Sequence, residues 1–368
     1  MRLVMTLLVR DEQEILAANL DYHLRQGVDF VLVSDHGSTD ATPEILGEYV
    51  AGGAARVLRV EGEALDQGGW VTRMARLAAV EHGADWVINN DTDEFWCPLA
   101  GTLKDMLELA PSRYGQLVCP RYNFVPRPGD GPFWSRMVIR EARSQNLVGG
   151  ELEPNAAHRA LPDVVVEHGN HWVRDARLPP APRLSLIEVL HFPIRSWEQF
   201  EHKVARAGRG YRALASRPFE VGRDQLTLAE VHERGELREW FEGATLDDER
   251  IAAGIARGEL VEDRRLQRFL AAAGAERPLL DPELVAVRRL AAEAFALAER
   301  SEGLEEARAK LAADSRAALA AHEQARADTQ RRLDQVSADL ETLRNSRLVR
   351  WTRPLRGAYY RTRGLRAG

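Results

Sequence analysis

The chain has 368 residues, 45% of them hydrophobic and 29% charged, a composition typical of a globular protein with a sizeable core. Its two cysteines, Cys97 and Cys119, exclude a disulfide framework and a cysteine-based zinc site, and they fit a reducing compartment. The net charge of −6 is unevenly distributed, because the last 25 residues contain eight arginines and no acid, which leaves 42 basic against 56 acidic residues elsewhere.

No run of about 18 apolar residues occurs, so the sequence predicts no transmembrane helix. The N-terminal segment MRLVMTLLVRDE lacks a small-residue cleavage site and is better explained as a first β-strand than as a signal peptide. We therefore expect a cytoplasmic protein. The basic tail, residues 344–368, suggests an anionic partner such as the inner face of the cell membrane, whereas the acidic body argues against nucleic acid.

The first hundred residues alternate short apolar runs with segments of helical periodicity. The apolar runs predict buried strands at Leu3–Val9, Phe30–Val33, Arg56–Val60 and Trp86–Ile88. The segments between them predict helices at Glu14–Gln26, Pro43–Val50 and Val71–Glu81. Strands that alternate with helices in this way favour an α/β fold with a mostly parallel central sheet and right-handed connections.

The pattern loosens after Gly101. We expect a short helix at Leu103–Leu109, strands at Gln116–Pro120, Val164–Val166 and Leu186–Leu190, and a helix at Trp197–Leu214. Residues 1–215 are accordingly assigned to one α/β domain, and residues 216–284, which are charged and mainly helical in pattern, to an extension.

Residues 285–343 differ in composition, being rich in alanine, glutamate and arginine, with no proline and one glycine. Leucines recur every seven residues and then change phase: Leu290, Leu297, Leu304, Leu311, and then Leu319, Leu333, Leu340. This periodicity predicts a long amphipathic helix that forms either a coiled coil, and so a homodimer, or a single extended helix.

Acidic residues follow two of the predicted strands. Asp35 ends the second strand, and Asp91, Asp93 and Glu94 come directly after Trp86–Ile88. Ligands of open α/β sheets bind at this edge, and carboxylates two residues apart can hold a divalent cation that grips a diphosphate. The alternative is a turn in which Asp91 caps a following helix. Because no GxGxxG or Walker A sequence is present, we expect a nucleotide to be held with a metal ion instead.

Three segments in this order, LLVRDEQEIL, VSDHGSTDAT and DWVINNDTDEFW, resemble the bacterial glycosyltransferase family 2 type with the GT-A fold, over about residues 1–215. The segment NSRLVRWTRPLR also resembles a C-terminal segment of many bacterial glycosyltransferases. The resemblance implies an inverting enzyme that moves a sugar from a nucleotide-diphosphate donor to a hydroxyl of a glycan or lipid-linked acceptor in cell-envelope synthesis. The QxxRW signature is missing, which argues against a processive synthase.

The resemblance also implies roles for individual residues. Asp35 would contact the base or ribose of the nucleotide. Asp91 and Asp93 match the DxD element, in which one or both aspartates hold Mn²⁺ or Mg²⁺ against the diphosphate. Arg10 and Arg73 are candidates for a phosphate contact, although an ordinary surface arginine is the alternative for each.

Further candidates lie later in the chain. His171 and His191 would complete the metal ligands or contact the diphosphate, unless they are structural histidines. Inversion requires a base to deprotonate the acceptor hydroxyl, and we predict Glu153, with Glu151 and Asp163 as alternatives.

Two other classes of function remain open from the sequence. A haloacid-dehalogenase-like phosphatase or phosphotransferase also carries DxD after an apolar strand, but that motif normally opens the domain, whereas here about ninety residues precede it. A catalytically inactive helical scaffold or membrane-recruitment protein would account for the long helix and the basic tail.

Overall fold

The computed structural model describes residues 1–150, 152–182, 184–214, 221–272 and 282–345. These belong to two compact units, Met1–Ala296 and Leu297–Gly368. Most of the predicted basic tail, residues 346–368, and the alternative base Glu151 lie outside the described residues.

Within the described residues, the strands are β1 (Leu3–Val9), β2 (Phe30–Asp35), β3 (Ala55–Arg59), β4 (Trp86–Asp91), β5 (Glu94–Pro98), β6 (Gln116–Cys119), β7 (Arg121–Asn123), β8 (Ile139–Glu141), β9 (Asn155–Arg159), β10 (Ile187–His191) and β11 (Leu260–Glu262). The helices are α1 (Leu16–Arg25), α2 (Thr42–Ala51), α3 (Gln67–Val80), α4 (Leu103–Leu107), α5 (Phe133–Arg136), α6 (Trp197–Arg212), α7 (Arg223–Glu233), α8 (Leu237–Ala244), α9 (Asp248–Ala256), α10 (Arg265–Ala271) and α11 (Pro282–Asn345). A 3-10 turn covers His168–Asn170.

The centre of the first unit is a six-stranded sheet in the order β3-β2-β1-β4-β9-β6. Strands β1 to β4 are parallel, whereas β9 is antiparallel to both β4 and β6. A second sheet, β5-β10-β7, pairs β10 antiparallel with β5 and parallel with β7. The predicted fold class, an α/β protein with a mostly parallel central sheet followed by a long C-terminal helix, is confirmed.

Strand β1 is covered on both faces, as its continuous apolar run predicts. Leu3, Met5 and Leu7 enter one apolar core together with α1, while Val4 enters another together with α3. Successive residues of a strand point to opposite faces, so both faces of this strand are buried by helices. Because β1 is parallel to both β2 and β4, the carboxyl ends of these three strands lie at one edge of the sheet.

Helix α3 begins at Gln67, four residues earlier than the sequence predicts. Asp66 caps it, because the Asp66 carboxylate accepts a hydrogen bond from the Gly69 amide at 3.1 Å. A Cβ atom on Gly68 would lie 3.0 Å from the ring of His168, so the glycine allows the first turn of α3 to approach the loop at 168–170.

One strand prediction was wrong, and one strand of the central sheet was missed. Val164–Val166 is not a strand, since Val166 makes only an isolated bridge with Val173. Strand β9, which inserts into the central sheet, was missed because its sequence NAAHR offers only two alanines as apolar residues.

The first unit continues to Ala296, beyond the predicted domain end at residue 215. Helix α6 packs against α7 and α8 through an apolar cluster that includes Phe200, Val204 and Leu228. The start of α11 also belongs to this unit, because Ala291 and Phe295 are buried in its main core.

In the second unit, the described residues 297–345 are helical and exposed. The leucines of the seven-residue repeat leave between 55% and 72% of their surface open to solvent. No helix in the described part of the chain combines the length and the apolar character needed to cross a membrane.

Candidate functional site

A large open cavity lies at the carboxyl edge of the central sheet, with a volume of about 1750 Å³. Arg10 after β1, His36 after β2 and Asp91 at the end of β4 all line it. Helix α6 contributes Lys203 and Arg206 from the other side. The edge at which the sequence predicted ligand binding is therefore the wall of this cavity.

The acidic segment is held rigidly by buried polar side chains behind it. The Asn19 amide donates to the carbonyl oxygens of Thr92 at 2.9 Å and Glu94 at 2.8 Å. The Asn90 amide donates to Asn19 Oδ1 at 3.2 Å, and the Trp96 indole donates to Asn90 Oδ1 at 2.9 Å. Because these groups are buried and paired, they fix the turn that presents the acids.

Asp91 receives hydrogen bonds from two neutral amides. Gln67 Nε2 and Asn170 Nδ2 each donate to Asp91 Oδ1 at 3.1 Å. Burial and the nearby negative charges of Glu94 and Asp93 raise the pKa of Asp91 well above its usual range. A bound cation would relieve this repulsion.

Asp93 has a different environment. The Lys203 ammonium forms an ion pair with Asp93 Oδ2, and His191 Nε2 lies 3.6 Å from the same oxygen. Burial by itself would raise the pKa of Asp93, but the charges of Lys203 and His191 hold that pKa well below its usual range. His191 is oriented by a 2.8 Å hydrogen bond between its Nδ1 and Asn123 Oδ1.

Glu94, the third acid, is a structural residue. Its side chain is fully buried, and it accepts hydrogen bonds from Arg121 at 2.9 Å and Asn155 at 2.5 Å. Asn155 comes from the antiparallel strand β9, so the Glu94 carboxylate joins that strand to the acidic segment. Arg121 also lines the cavity.

Arginine side chains form the wall on the β1 side. The Arg206 guanidinium forms an ion pair with Asp11 and donates to the carbonyl oxygen of Arg10 at 2.9 Å. Arg10 Nη1 lies 3.4 Å from His36 Nδ1, and His36 Nε2 donates to the carbonyl oxygen of Gly62 at 2.9 Å. Burial, followed by repulsion from Arg206, lowers the pKa of Arg10. The positive charge of Arg10 and Arg206 can attract an anion to this wall of the cavity.

The loops after β1 and β2 hold each other in place. The Asp11 amide donates to Ser38 Oγ at 3.0 Å, and the Thr39 amide donates to Asp11 Oδ1 at 2.6 Å. The Glu12 amide donates to Thr42 Oγ1 at 2.9 Å. The segments RDE and GSTDAT thus form one hydrogen-bonded unit at the cavity rim.

Two predicted nucleotide contacts lie outside the cavity lining among the described residues. Asp35 is buried, and its Oδ1 accepts from the Ser38 amide at 3.0 Å, so this oxygen fixes the turn. Arg73 is exposed on α3, because the helical register turns Thr72 and Arg76 toward the cavity and Arg73 toward solvent.

His171 and Glu153 lie together on the cavity wall, where His171 Nε2 is 3.7 Å from Glu153 Oε2. His171 Nδ1 donates to the carbonyl oxygen of Pro154 at 3.1 Å, and burial together with Arg121 lowers the pKa of His171 to about 3. The Glu153 side chain is 58% exposed. Asp163, an alternative base, lies away from the cavity lining and pairs with Arg177 at 2.8 Å.

The sequence interpretation missed Asp224, a carboxylate that lines the cavity from the first turn of α7. Burial raises the pKa of Asp224. No motif surrounds this residue, and the preceding residues 215–220 lie outside the described chain, so only its position in the fold identifies it.

The predicted metal ligands do not converge into one set. Within the described residues, no group of three or more histidine, cysteine, aspartate and glutamate side chains is arranged to hold a metal ion. Asp93 is paired with Lys203, and the predicted ligands His171 and His191 each use one ring nitrogen in a hydrogen bond. Among the described residues, Asp91 accepts side-chain hydrogen bonds from neutral amides and forms no ion pair, so its carboxylate fits a cation ligand better than that of Asp93.

No protein-family model matches the sequence, and no curated protein matches it. Similar solved structures include S. aureus TarS 1–349 in complex with UDP-GlcNAc, at 12% identity, 69% coverage of this chain, 83% of that chain and a TM-score of 0.37. Another is the mannosyltransferase PcManGT from Pyrobaculum calidifontis in complex with GDP-Man and Mn²⁺, at 17% identity, coverages of 80% and 86%, and a TM-score of 0.30. A further structure of S. aureus TarS 1–349 matches at 14% identity over 56% of this chain, with a TM-score of 0.35, and the match spans 64% of that chain's length.

Proposed function

We propose that this protein is an inverting, non-processive glycosyltransferase that moves a sugar from a nucleotide-diphosphate donor to a hydroxyl acceptor. The observation that supports this most directly is the cavity of about 1750 Å³ in which Asp91 and Asp93 face Lys203 and Arg206 at the carboxyl edge of parallel strands. The motifs that resemble glycosyltransferase family 2 include Arg10, His36, Asp91 and Asp93, which line this cavity, and this supports the proposal. We further propose that the acceptor is a glycan or a lipid-linked acceptor of cell-envelope synthesis.

In this proposal the donor's diphosphate lies beside the basic side chains of the cavity. Lys203, Arg206 and Arg10 line one continuous part of the wall and can donate hydrogen bonds to phosphate oxygens. Their charge stabilises the nucleoside diphosphate as it leaves the sugar. The nucleotide's base and ribose would lie near the loop of Asp35 and His36, where Trp70 packs against His36 at 4.6 Å between ring centroids.

Mn²⁺ or Mg²⁺ on the Asp91 carboxylate would add positive charge to the leaving diphosphate. Gln67 and Asn170 hold that carboxylate in place through hydrogen bonds to its Oδ1. Arg73 is not retained as a phosphate contact, since its side chain points to solvent.

The base that deprotonates the acceptor hydroxyl would be a carboxylate on the same cavity. Glu153 remains the prediction, with His171 beside it. Asp224 is a second candidate, because a carboxyl with a raised pKa accepts a proton more readily near neutral pH.

A thermal-shift panel of nucleoside diphosphates and nucleotide sugars tests the proposal. Binding that stabilises the folded protein raises its melting temperature, and Asp91→Asn should abolish any part of the shift that depends on Mn²⁺. Asp163→Asn, a carboxylate away from the cavity, is the matched control and should behave as the wild type. A panel without a single stabilising nucleotide would refute the proposal, and phosphate release from phosphomonoesters would favour the phosphatase alternative.

A further inference from the structure

The two aspartates of the DxD element are unequal in the folded protein. Asp93 has only 3% of its surface exposed, and its Oδ2 is paired with the Lys203 ammonium, with His191 Nε2 3.6 Å away. Asp91 has no cationic partner among the described residues and accepts hydrogen bonds from the neutral amides of Gln67 and Asn170. One aspartate therefore carries an internal counter-ion and the other does not.

Lys203 is held in this position by the packing of its helix. Phe200 and Val204, on either side of it in α6, are each 1% exposed and belong to the apolar cluster between α6, α7 and α8. The Lys203 side chain is 31% exposed and lines the cavity, so it borders the space that a ligand would occupy while its ammonium stays paired with Asp93.

A divalent cation bound by both aspartates would have to lie beside this ammonium. Positive charges a few ångströms apart repel strongly in a partly buried site, and the cation would also have to displace Lys203 from Asp93 Oδ2. Asp91 forms no ion pair among the described residues, so a cation bound there displaces no ammonium, but the nearby charges of Lys203 and Arg121 also act on the Asp91 carboxylate. A single carboxylate also binds a divalent cation weakly.

We propose that Lys203 is a built-in cation of the site, which keeps Asp93 from coordinating a metal ion and contacts the donor's diphosphate directly. A divalent cation then binds through Asp91 alone and weakly, and the nucleotide is held largely without it. The part of this inference that concerns the diphosphate rests on the proposed glycosyltransferase function, whereas the part that concerns the metal does not.

Mn²⁺ binding to the full-length protein, followed by electron paramagnetic resonance, tests the metal part. Lys203→Met should bind Mn²⁺ at least tenfold more tightly than the wild type, because Asp93 becomes available. Lys203→Met/Asp93→Asn should return to the wild-type affinity, and Arg212→Met, which removes an exposed cation from the same helix, should not differ from the wild type. Equal affinity in Lys203→Met and the wild type, or a gain that persists in the double variant, would overturn the inference.

Lys203→Met leaves the Asp93 carboxylate buried without its partner, so a second variant guards against misfolding. Lys203→Arg keeps the positive charge and should bind Mn²⁺ as weakly as the wild type. A tenfold gain in Mn²⁺ affinity in Lys203→Arg would show that the positive charge at position 203 does not weaken metal binding.

Calorimetric titration with UDP and GDP, in EDTA and in Mn²⁺, tests the diphosphate part. The nucleotide affinity of the wild type should differ less than threefold between the two conditions. In EDTA, Lys203→Met should bind the nucleotides at least tenfold more weakly than the wild type, and Mn²⁺ should restore its affinity. A wild type that binds nucleotide only in Mn²⁺ would overturn the inference. Absence of nucleotide binding under every condition would instead refute the proposed function, and the Mn²⁺ measurement would still decide the role of Lys203.

Discussion

Glu94 is the acid of the DxD region that serves the fold. It is fully buried between Arg121 and Asn155, so Glu94→Gln would leave the Arg121 guanidinium, 11% exposed, without its carboxylate. We expect the free energy of unfolding to fall by about 3–5 kcal/mol, measured by urea denaturation. Glu153→Gln, at a side chain that is 58% exposed, should change stability by less than about 0.5 kcal/mol. Equal losses in the two variants would contradict this assignment.

The two candidate bases can be separated by steady-state kinetics. Removing the general base should lower kcat by about 10²–10⁴-fold, while the KM for the donor changes little, because the base acts on the acceptor. We expect this loss in Glu153→Gln and a smaller one in Asp224→Asn. A large loss in Asp224→Asn alone would transfer the role to Asp224, and near-normal kcat in both variants would exclude both.

His23 and His158 make stability depend on pH. Both are fully buried, and burial lowers the pKa of each from 6.5 to about 4. Between these values the unfolded chain binds protons that the folded chain does not, so stability decreases as the pH falls from 6.5 toward 4. We expect a loss of about 2 kcal/mol per histidine between pH 7 and pH 5 in urea denaturation. His158→Gln should show a smaller loss, and an equal loss would exclude His158 as the cause.

The sequence identified the acids but not the groups that define their chemistry. Asp91 and Asp93 could be found because they end an apolar strand. Their partners are remote, since Gln67, Asn170 and Lys203 lie 24, 79 and 110 residues away along the chain. No local pattern encodes contacts of this kind, so the asymmetry of the two aspartates emerges only from the fold.

Helix α6 delivers Lys203 to the site, and its packing on α7 depends on a glycine. A Cβ atom on Gly208 would lie 2.5 Å from the Cβ of Ala229, so the two helices could not keep their distance. We expect Gly208→Ala to lower stability by about 1–3 kcal/mol in thermal or urea unfolding. Gly47→Ala is the matched control, because nothing lies within 4 Å of its new methyl group in α2, and it should stabilise by up to about 1 kcal/mol. Destabilisation by both would point to a general intolerance of substitution.

Strands rich in apolar residues were predicted from the sequence, whereas a strand with polar buried residues was not. Strand β1 and the first half of β4, Trp86–Ile88, are buried apolar runs and were located to within a few residues, because burial on both faces leaves a continuous signal. Strand β9 carries Asn155 and His158, both fully buried, and the Asn155 side-chain amide donates to Glu94 of the second sheet. Its role depends on tertiary pairing, which the sequence pattern does not report.

The long helix α11 is the element through which a homodimer is predicted to form. Leu333, Val336, Leu340 and Leu343 lie on one stripe with the spacing of a coiled coil, and each is at least 55% exposed. We expect sedimentation at rising concentration to show a dimer that Leu333→Glu/Leu340→Glu abolishes. Ala338→Glu, on the opposite side of the helix, is the control and should leave association unchanged. A wild type that stays monomeric at all concentrations would exclude this mode of association.

The paired loops at the cavity rim limit how this protein could be re-engineered. The backbone amides of Asp11 and Glu12 donate hydrogen bonds to the hydroxyls of Ser38 and Thr42, and the Asp11 carboxylate accepts one from the Thr39 amide. If only one of the two segments were replaced, backbone amides of the other would lose their hydrogen-bond acceptors. A change to the cavity rim must therefore replace the segments RDE, residues 10–12, and GSTDAT, residues 37–42, together.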